Sequence, residues 1–301
     1  MVSGKVIAVA NMKGGVGKTT VVVGLAEALA ASSGSDVLVI DLDAQANASI
    51  CLAGDAALAG LIRDGQTIEA FLADYLLVGR KIKFNDCIRE DVSNVSYRGT
   101  QLPIALLAAS PELRLFEQTL VHRLTKQKYS FEDIVNRLWD LMKEQLKRTK
   151  KNYEYVVIDC PPGISTLTDV SLRLADIVAV PTIPDFLSTY GLQAFCRSVW
   201  DGELARRSPL SAPKQPPHVL VTRRRQVREH SETVEKMQNE SRMKSPAFRL
   251  FQTEIPEMIA IPTALSKIDQ FPSFSGKWKQ AAPILESLAI ETTEALNGAR
   301  A

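Results

Sequence analysis

Seven short apolar runs set the rhythm of this chain, at residues 6–10, 37–41, 103–109, 155–159, 176–181, 218–222 and 249–253. Most lack the apolar–polar alternation of a half-exposed strand, and uninterrupted runs of this kind belong to strands buried on both faces of a parallel sheet. Helical segments fall between them. Residues 21–31 read as a helix ending near Gly34. Residues 67–77 carry Ile68, Phe71, Leu72, Tyr75 and Leu76 at helical spacing, with Thr67 at the N-cap. Ser110-Pro111 opens another helix by cap and first-position proline. Residues 130–150 form a long amphipathic helix with Ser130 as cap and Glu132 and Asp133 in the first turn. A further helix starts at Ser188 and runs to about Leu204, and residues 283–296 close the chain as a helix.

Strands alternating with helices predict an α/β fold: a mostly parallel twisted sheet with helices on both faces, three layers in all. Residues 209–217, with four prolines, read as a surface connector. No Gly, Ser or Pro-rich linker divides the chain, so one domain over residues 1–301 is expected. Residues 51–102 and 223–249 fit the rhythm least and are expected on the surface.

Composition narrows the class. At 301 residues and 46% hydrophobic content the chain can fill a full core. Its 36 basic and 34 acidic residues leave a net charge of +2, so nucleic-acid binding would have to come from a local patch. The four cysteines, Cys51, Cys87, Cys160 and Cys196, form no C-x-x-C pair and read as reduced thiols. No signal-peptide layout precedes the first strand, and no apolar run approaches the roughly 20 residues that span a bilayer. A cytoplasmic protein is expected.

The chemistry concentrates where the first strand meets the first helix. Between them stands Asn11-Met12-Lys13-Gly14-Gly15-Val16-Gly17-Lys18-Thr19-Thr20. Glycines let the backbone curl so that several N–H groups point at one centre, and the helix N-terminus adds partial positive charge. Gly14, Gly15, Val16, Gly17, Lys18, Thr19 and Thr20 form a phosphate-binding loop in which Lys18 reaches the β- and γ-phosphates and Thr19 completes a Mg²⁺ shell. The usual G-x-x-x-x-G-K-[ST] pattern is not met, because its first glycine falls at Met12. An extra lysine, Lys13, stands in the loop instead.

This variant resembles the deviant phosphate loop of the ParA/MinD superfamily of ATPases, and specifically its Soj-like partition group. The resemblance covers about residues 4–275 and implies the P-loop NTPase fold, with ATP and Mg²⁺ as cofactors. It also implies that Lys13 reaches across a homodimer to phosphates held by the other copy. Asp41-Leu42-Asp43-Ala44-Gln45-Ala46-Asn47 resembles the group's D-x-D-P-Q-x-N, with alanine in place of proline. Two carboxylates two residues apart on a strand point the same way, and the carboxyl end of a strand is where ligands sit. By resemblance Asp43 positions water and Asp41 supports the Mg²⁺ site. An aspartate pair capping the next helix is the structural alternative. Tyr155-Val156-Val157-Ile158-Asp159-Cys160-Pro161-Pro162 resembles the Walker B strand, with Asp159 as the second metal anchor. The 182–192 segment resembles the group's dimer-interface loop, and Glu254-Ile255-Pro256 its adenine-flanking turn, with Arg223 and Pro256 beside the base.

Between residues 222 and 249 eight Lys or Arg face four glutamates, a local net of +4. Arg223, Arg224, Arg225 and Arg228 are the candidates for non-specific contacts to double-stranded DNA. A solvated helix face with i,i+4 pairs such as Glu232 with Lys236 is the competing reading. The resemblance then implies a Mg²⁺-dependent ATPase that dimerises on ATP, binds nucleoid DNA, positions a cargo and is reset by a ParB-like activator. A MinD-like membrane-associated ATPase is the alternative. It is disfavoured because the polar face of the last helix carries Glu286, Glu291 and Glu294 and no basic residue.

Overall fold

The computed structural model describes residues 4–79, 81–201, 206, 208–244, 246–266 and 273–298. The expected strands form: β1 (Lys5–Val9), β2 (Val37–Asp41), β6 (Ile104–Leu107), β7 (Tyr155–Asp159), β8 (Ile177–Thr182), β9 (His218–Arg224) and β10 (Arg249–Pro256). Three short strands lie between β2 and β6: β3 (Ile88–Arg89), β4 (Ser96–Tyr97) and β5 (Thr100–Gln101). Eight strands make one sheet in the order β10-β9-β8-β1-β7-β2-β6-β3, parallel throughout except for β3 on β6. β4 and β5 form a separate hairpin. Every residue of β2 and β7 is buried, which is why these strands read as unbroken apolar runs.

The connections explain where a ligand can bind. From β1 the chain passes through α1 (Lys18–Ser33) to β2, and from β7 it passes through α7 (Thr166–Leu174) to β8. These crossovers travel in opposite directions along the sheet, so right-handed connection places α1 and α7 on opposite faces. Such a reversal opens a crevice at the carboxyl ends of the strands. β2 does not adjoin β1: β7 lies between them, and its register sets Asp159 beside both Val9 and Asp41.

The remaining helices are α2 (Asn47–Ala53), α3 (Asp55–Arg63), α4 (Ile68–Ala73), α5 (Leu113–Lys126), α6 (Phe131–Thr149), α8 (Phe186–Cys196), α9 (Arg228–Ser241), α10 (Ala260–Ser266), α11 (Phe274–Trp278) and α12 (Ala282–Gly298). Ser130 caps α6 as expected, accepting from the Asp133 N–H while Asp133 bonds back to the Ser130 N–H. Gly34 ends α1 in the left-handed conformation, at φ 65°. Leu285, Leu288 and Leu296 of α12 are buried, and Leu285 lies so close to Gly24 of α1 that a Cβ there would clash.

Several local expectations need correction. Ser188 is not the cap of α8: Asp185 is, accepting from the Ser188 N–H at 2.7 Å. The regular part of that helix ends at Cys196 and continues as a wider turn over Arg197–Asp201; the expected end near Leu204 lies outside the described residues. Thr67 occupies the N-cap of α4 but makes no side-chain capping bond. Ser110 caps a turn, accepting from the Glu112 N–H, and α5 begins only at Leu113. Residues 51–102 are less superficial than expected, since Phe84, Cys87, Val92 and Val95 are buried.

Candidate functional site

The loop before α1 bends through two glycines in the left-handed region, Gly15 at φ 74° and Gly17 at φ 90°, where a side chain would be strained. A Cβ added to Gly14 or Gly15 would meet nothing within 4 Å. These glycines therefore face open space. That space is a cavity of about 430 Å³. Gly14, Gly15, Gly17, Lys18, Thr19 and Thr20 line it, together with Asp43, Arg223, Pro256, Met258 and Ile261. Val16 is buried beneath the loop, its carbonyl accepting from Thr222 Oγ1 at 2.7 Å.

Lys18 projects from the first turn of α1 and donates to the Lys13 carbonyl at 3.0 Å. Burial pushes its ammonium pKa down, with Asp159 and Asp43 opposing that shift. Thr19 Oγ1 donates to Asp159 Oδ2 at 2.8 Å, tying the loop to the end of β7. The second oxygen of Asp159, Oδ1, is buried without a hydrogen-bond partner. Burial, then the neighbouring Asp41, raises the Asp159 pKa well above the carboxylate range.

Asp41 and Asp43 do not point the same way, contrary to expectation, because β2 ends at Asp41 and strand alternation goes no further. Asp41 turns under the start of α2: Oδ1 accepts from the Asp43 N–H, and Oδ2 from the Ser49 N–H and hydroxyl. Burial raises its pKa to about 6 against these bonds. Asp43 faces the cavity, its Oδ1 accepting from the Gln45 N–H. Asp43, Asp159 and Thr19 are thus the carboxylates and hydroxyl gathered at the phosphate end, with Asp41 supporting from behind. Asp41 takes the Ser49 N–H of α2, while the cap position of that helix is Ala46, so neither aspartate is its cap residue.

An orphaned buried carboxylate oxygen beside a hydroxyl, under a loop of open amides and a buried ammonium, fits a polyanion together with a hard divalent cation. Among the described residues no group of three or more His, Cys, Asp or Glu could hold a metal alone. A Mg²⁺ bound here would draw its remaining ligands from water and phosphate, as that ion prefers.

Lys13 is placed differently from Lys18. It does not line the cavity; its Nζ donates to Ser188 Oγ at 2.8 Å and lies 3.8 Å from Asp185 Oδ1. Beside it Phe186, Leu187 and Tyr190 are 72%, 70% and 70% exposed.

The four candidate arginines all meet carboxylates. Arg223 donates to the Gly15 carbonyl and to Glu257, Arg224 to Glu254, Arg225 to Glu257, and Arg228 to Glu232. Glu232 pairs with Arg228, one turn before it, and not with Lys236 as expected. Sequence reasoning missed Glu257, Met258, Ile261, Pro262 and Leu265, which also line the cavity. The apolar spacing of that segment was a weak signal that could have found them. All four cysteines are buried and free, with burial pushing each thiol pKa up, which agrees with packing roles.

An AAA domain family model matches residues 4–207. The sporulation initiation inhibitor protein Soj of Bacillus subtilis is 30% identical over 196 residues, which is 65% of each chain. The chromosome partitioning protein ParA of Caulobacter vibrioides is 31% identical over 196 residues, 65% of this chain and 62% of that one. The matched region thus spans less than two thirds of these relatives. Among solved structures, apo McdA from Cyanothece covers 97% of this chain and 99% of its own, with TM-score 0.68 at 19% identity. A Borrelia burgdorferi putative plasmid partition protein bound to AMPPNP covers 96% and 99%, with TM-score 0.65 at 20% identity. The family model covers more than half of the chain, which therefore belongs to the AAA domain family; its deviant loop and parallel sheet are similar to those of ParA-type proteins of the ParA/MinD superfamily.

Proposed function

We propose that this protein is a Mg²⁺-dependent ATPase that works as a pair of copies closed around two nucleotides, and that the pair binds DNA and positions a cargo. The observation that carries the reading is the position of Lys13. A cation of the phosphate loop is fastened outside its own cavity, beside an exposed apolar patch of Phe186, Leu187 and Tyr190. A second copy would cover that patch and bring the lysine to the other copy's phosphates.

The residues then divide the work. Backbone amides of Gly14–Thr20 and the Lys18 ammonium bind the phosphates, and Arg223 and Pro256 flank the base. Thr19 and Asp159 would hold the metal, with Asp41 tying the end of β2 to the start of α2 behind them. The metal, when bound, supplies charge neutralisation across the phosphates. Asp43 orients the attacking water, while Lys18 and the second copy's Lys13 stabilise charge that develops on the phosphoryl oxygens. Each such preorganised donor is worth roughly 3–4 kcal/mol of barrier in comparable sites. Turnover is therefore slow until pairing delivers Lys13, and a ParB-like activator acts on the paired form. The partition relatives support the DNA and cargo reading, with Arg223, Arg224, Arg225 and Arg228 as the contact region.

Steady-state hydrolysis per chain, followed against protein concentration, tests this. The paired mechanism gives a specific activity that climbs with concentration and then levels. A specific activity independent of concentration would place the whole reaction within one copy.

A further inference from the structure

The basic groove beside the nucleotide cavity is not bare. Each of its arginines is already matched by a carboxylate: Arg224 by Glu254, Arg225 by Glu257 and Arg228 by Glu232. An arginine neutralised from within the chain neutralises no phosphate and releases no counterion from a polyanion. Exposed ion pairs of this kind are weak, so they regulate and do not lock.

Glu257 stands apart because it serves two arginines on opposite sides of a thin wall. Pro256 lines both the 430 Å³ nucleotide cavity and the neighbouring 580 Å³ groove formed with Arg224, Arg225, Gln226 and Arg228. One oxygen of Glu257, Oε1, accepts from Arg223 at 2.9 Å, and Arg223 lines the cavity and donates to the loop carbonyl of Gly15 at 3.1 Å. The other oxygen, Oε2, accepts from Arg225 Nε in the groove. The Glu257 backbone is fixed by its N–H to the Arg224 carbonyl at 2.9 Å, so the side chain is the part free to respond. Its carboxyl, held down to about 2 by Arg225 and Arg223, stays charged at any working pH.

We infer that Glu257 is a carboxylate brake on the DNA-binding groove, standing in for a DNA phosphate on Arg225 until a nucleotide fills the adjoining cavity. A bound triphosphate brings net negative charge beside Glu257 and, at the loop where Arg223 already reaches from the base side to the Gly15 carbonyl, offers that guanidinium a competing anion. Both effects disfavour the two-arginine bridge. Arg225 then becomes available to a polyanion. This inference rests on the proposed DNA-binding function and names the residue that couples its two sites.

The test uses the full chain and a short labelled DNA duplex, read by fluorescence anisotropy across a salt series with and without Mg²⁺ and ATP. Glu257→Gln keeps the shape and removes the charge. Without nucleotide, Glu257→Gln should bind about tenfold tighter than the native chain near about 100 mM salt. Freeing Arg225 should steepen the logarithmic salt slope by about 0.9. The gain that ATP gives the native chain should shrink in the variant. If Arg225→Ala weakens binding while Glu257→Gln leaves affinity, slope and ATP response unchanged, the brake is overturned and the DNA reading survives. If Arg225→Ala with Arg228→Ala changes nothing in the Glu257→Gln background, or no form binds the duplex, the DNA reading fails and the brake with it.

Discussion

Lys13 Nζ donates to Ser188 Oγ at 2.8 Å, which fastens the second loop lysine to the head of α8 and leaves Lys18 alone over the cavity. The contact is half-exposed, and ion pairs and hydrogen bonds of that kind contribute only about 0–1 kcal/mol. It can therefore be exchanged for a phosphate contact at little cost. Lys13→Gln should leave stability within about 0.5 kcal/mol and single-copy nucleotide affinity within about threefold. Its hydrolysis rate should fall by about a hundredfold. Lys18→Ala should instead abolish nucleotide binding by one copy. Fluorescent-nucleotide titration beside a phosphate-release assay separates the two lysines.

Phe186 and Tyr190 contribute almost nothing to the core of one copy. Phe186→Asp and Tyr190→Asp should leave the urea midpoint unchanged and abolish nucleotide-driven pairing, seen by analytical ultracentrifugation. An unchanged sedimentation profile in saturating nucleotide would mean that the patch serves another partner.

The C-terminal part of the chain is bound to the phosphate-loop helix by a buried cluster. Lys277 Nζ donates to Glu27 Oε1 at 2.5 Å and Trp278 Nε1 to Glu27 Oε2 at 2.6 Å, with Lys277 2% and Glu27 1% exposed. Lys277→Met strands the carboxylate without its cation and should destabilise the fold by roughly 3–5 kcal/mol. Adding Glu27→Gln should recover part of that loss, because an amide oxygen can still accept from Trp278. Urea unfolding of the single and double variants measures both effects.

His218, at the start of β9, sets an acid limit. Burial, with Arg249 nearby, lowers its pKa from 6.5 to about 4. Between those values the unfolded chain binds a proton that the folded chain refuses, so this stability is present above pH 6.5 and lost as pH falls towards 4. The loss at the lower end is on the order of 3 kcal/mol. His218→Gln should flatten the dependence of the urea midpoint over that window; an equal slope in both proteins would assign the acid sensitivity to other groups.

Strands β1, β2 and β7 were legible because burial on both faces leaves an unbroken apolar run. The loop was legible because phosphate chemistry demands its glycines and lysine at fixed spacing. Strand order was not: nothing in residues 155–159 says that this strand inserts between β1 and β2, and that insertion sets Asp41 beside Asp159. Helix α9 was obscured because only His230, Val234 and Met237 are buried among its charged residues. Neither Glu257's two arginines nor Lys13's hold on Ser188 could be read in advance. Both join residues far apart in sequence through contacts that only the folded sheet creates.

The most direct test of the central claim is the mass of the particle in solution, measured by light scattering with Mg²⁺ and AMPPNP. The account predicts twice the 33.1 kDa chain mass with nucleotide, a single chain without it, and a single chain for Lys13→Gln in both conditions. A single-chain mass at saturating nucleotide, or pairing of Lys13→Gln as tight as that of the native protein, would contradict it.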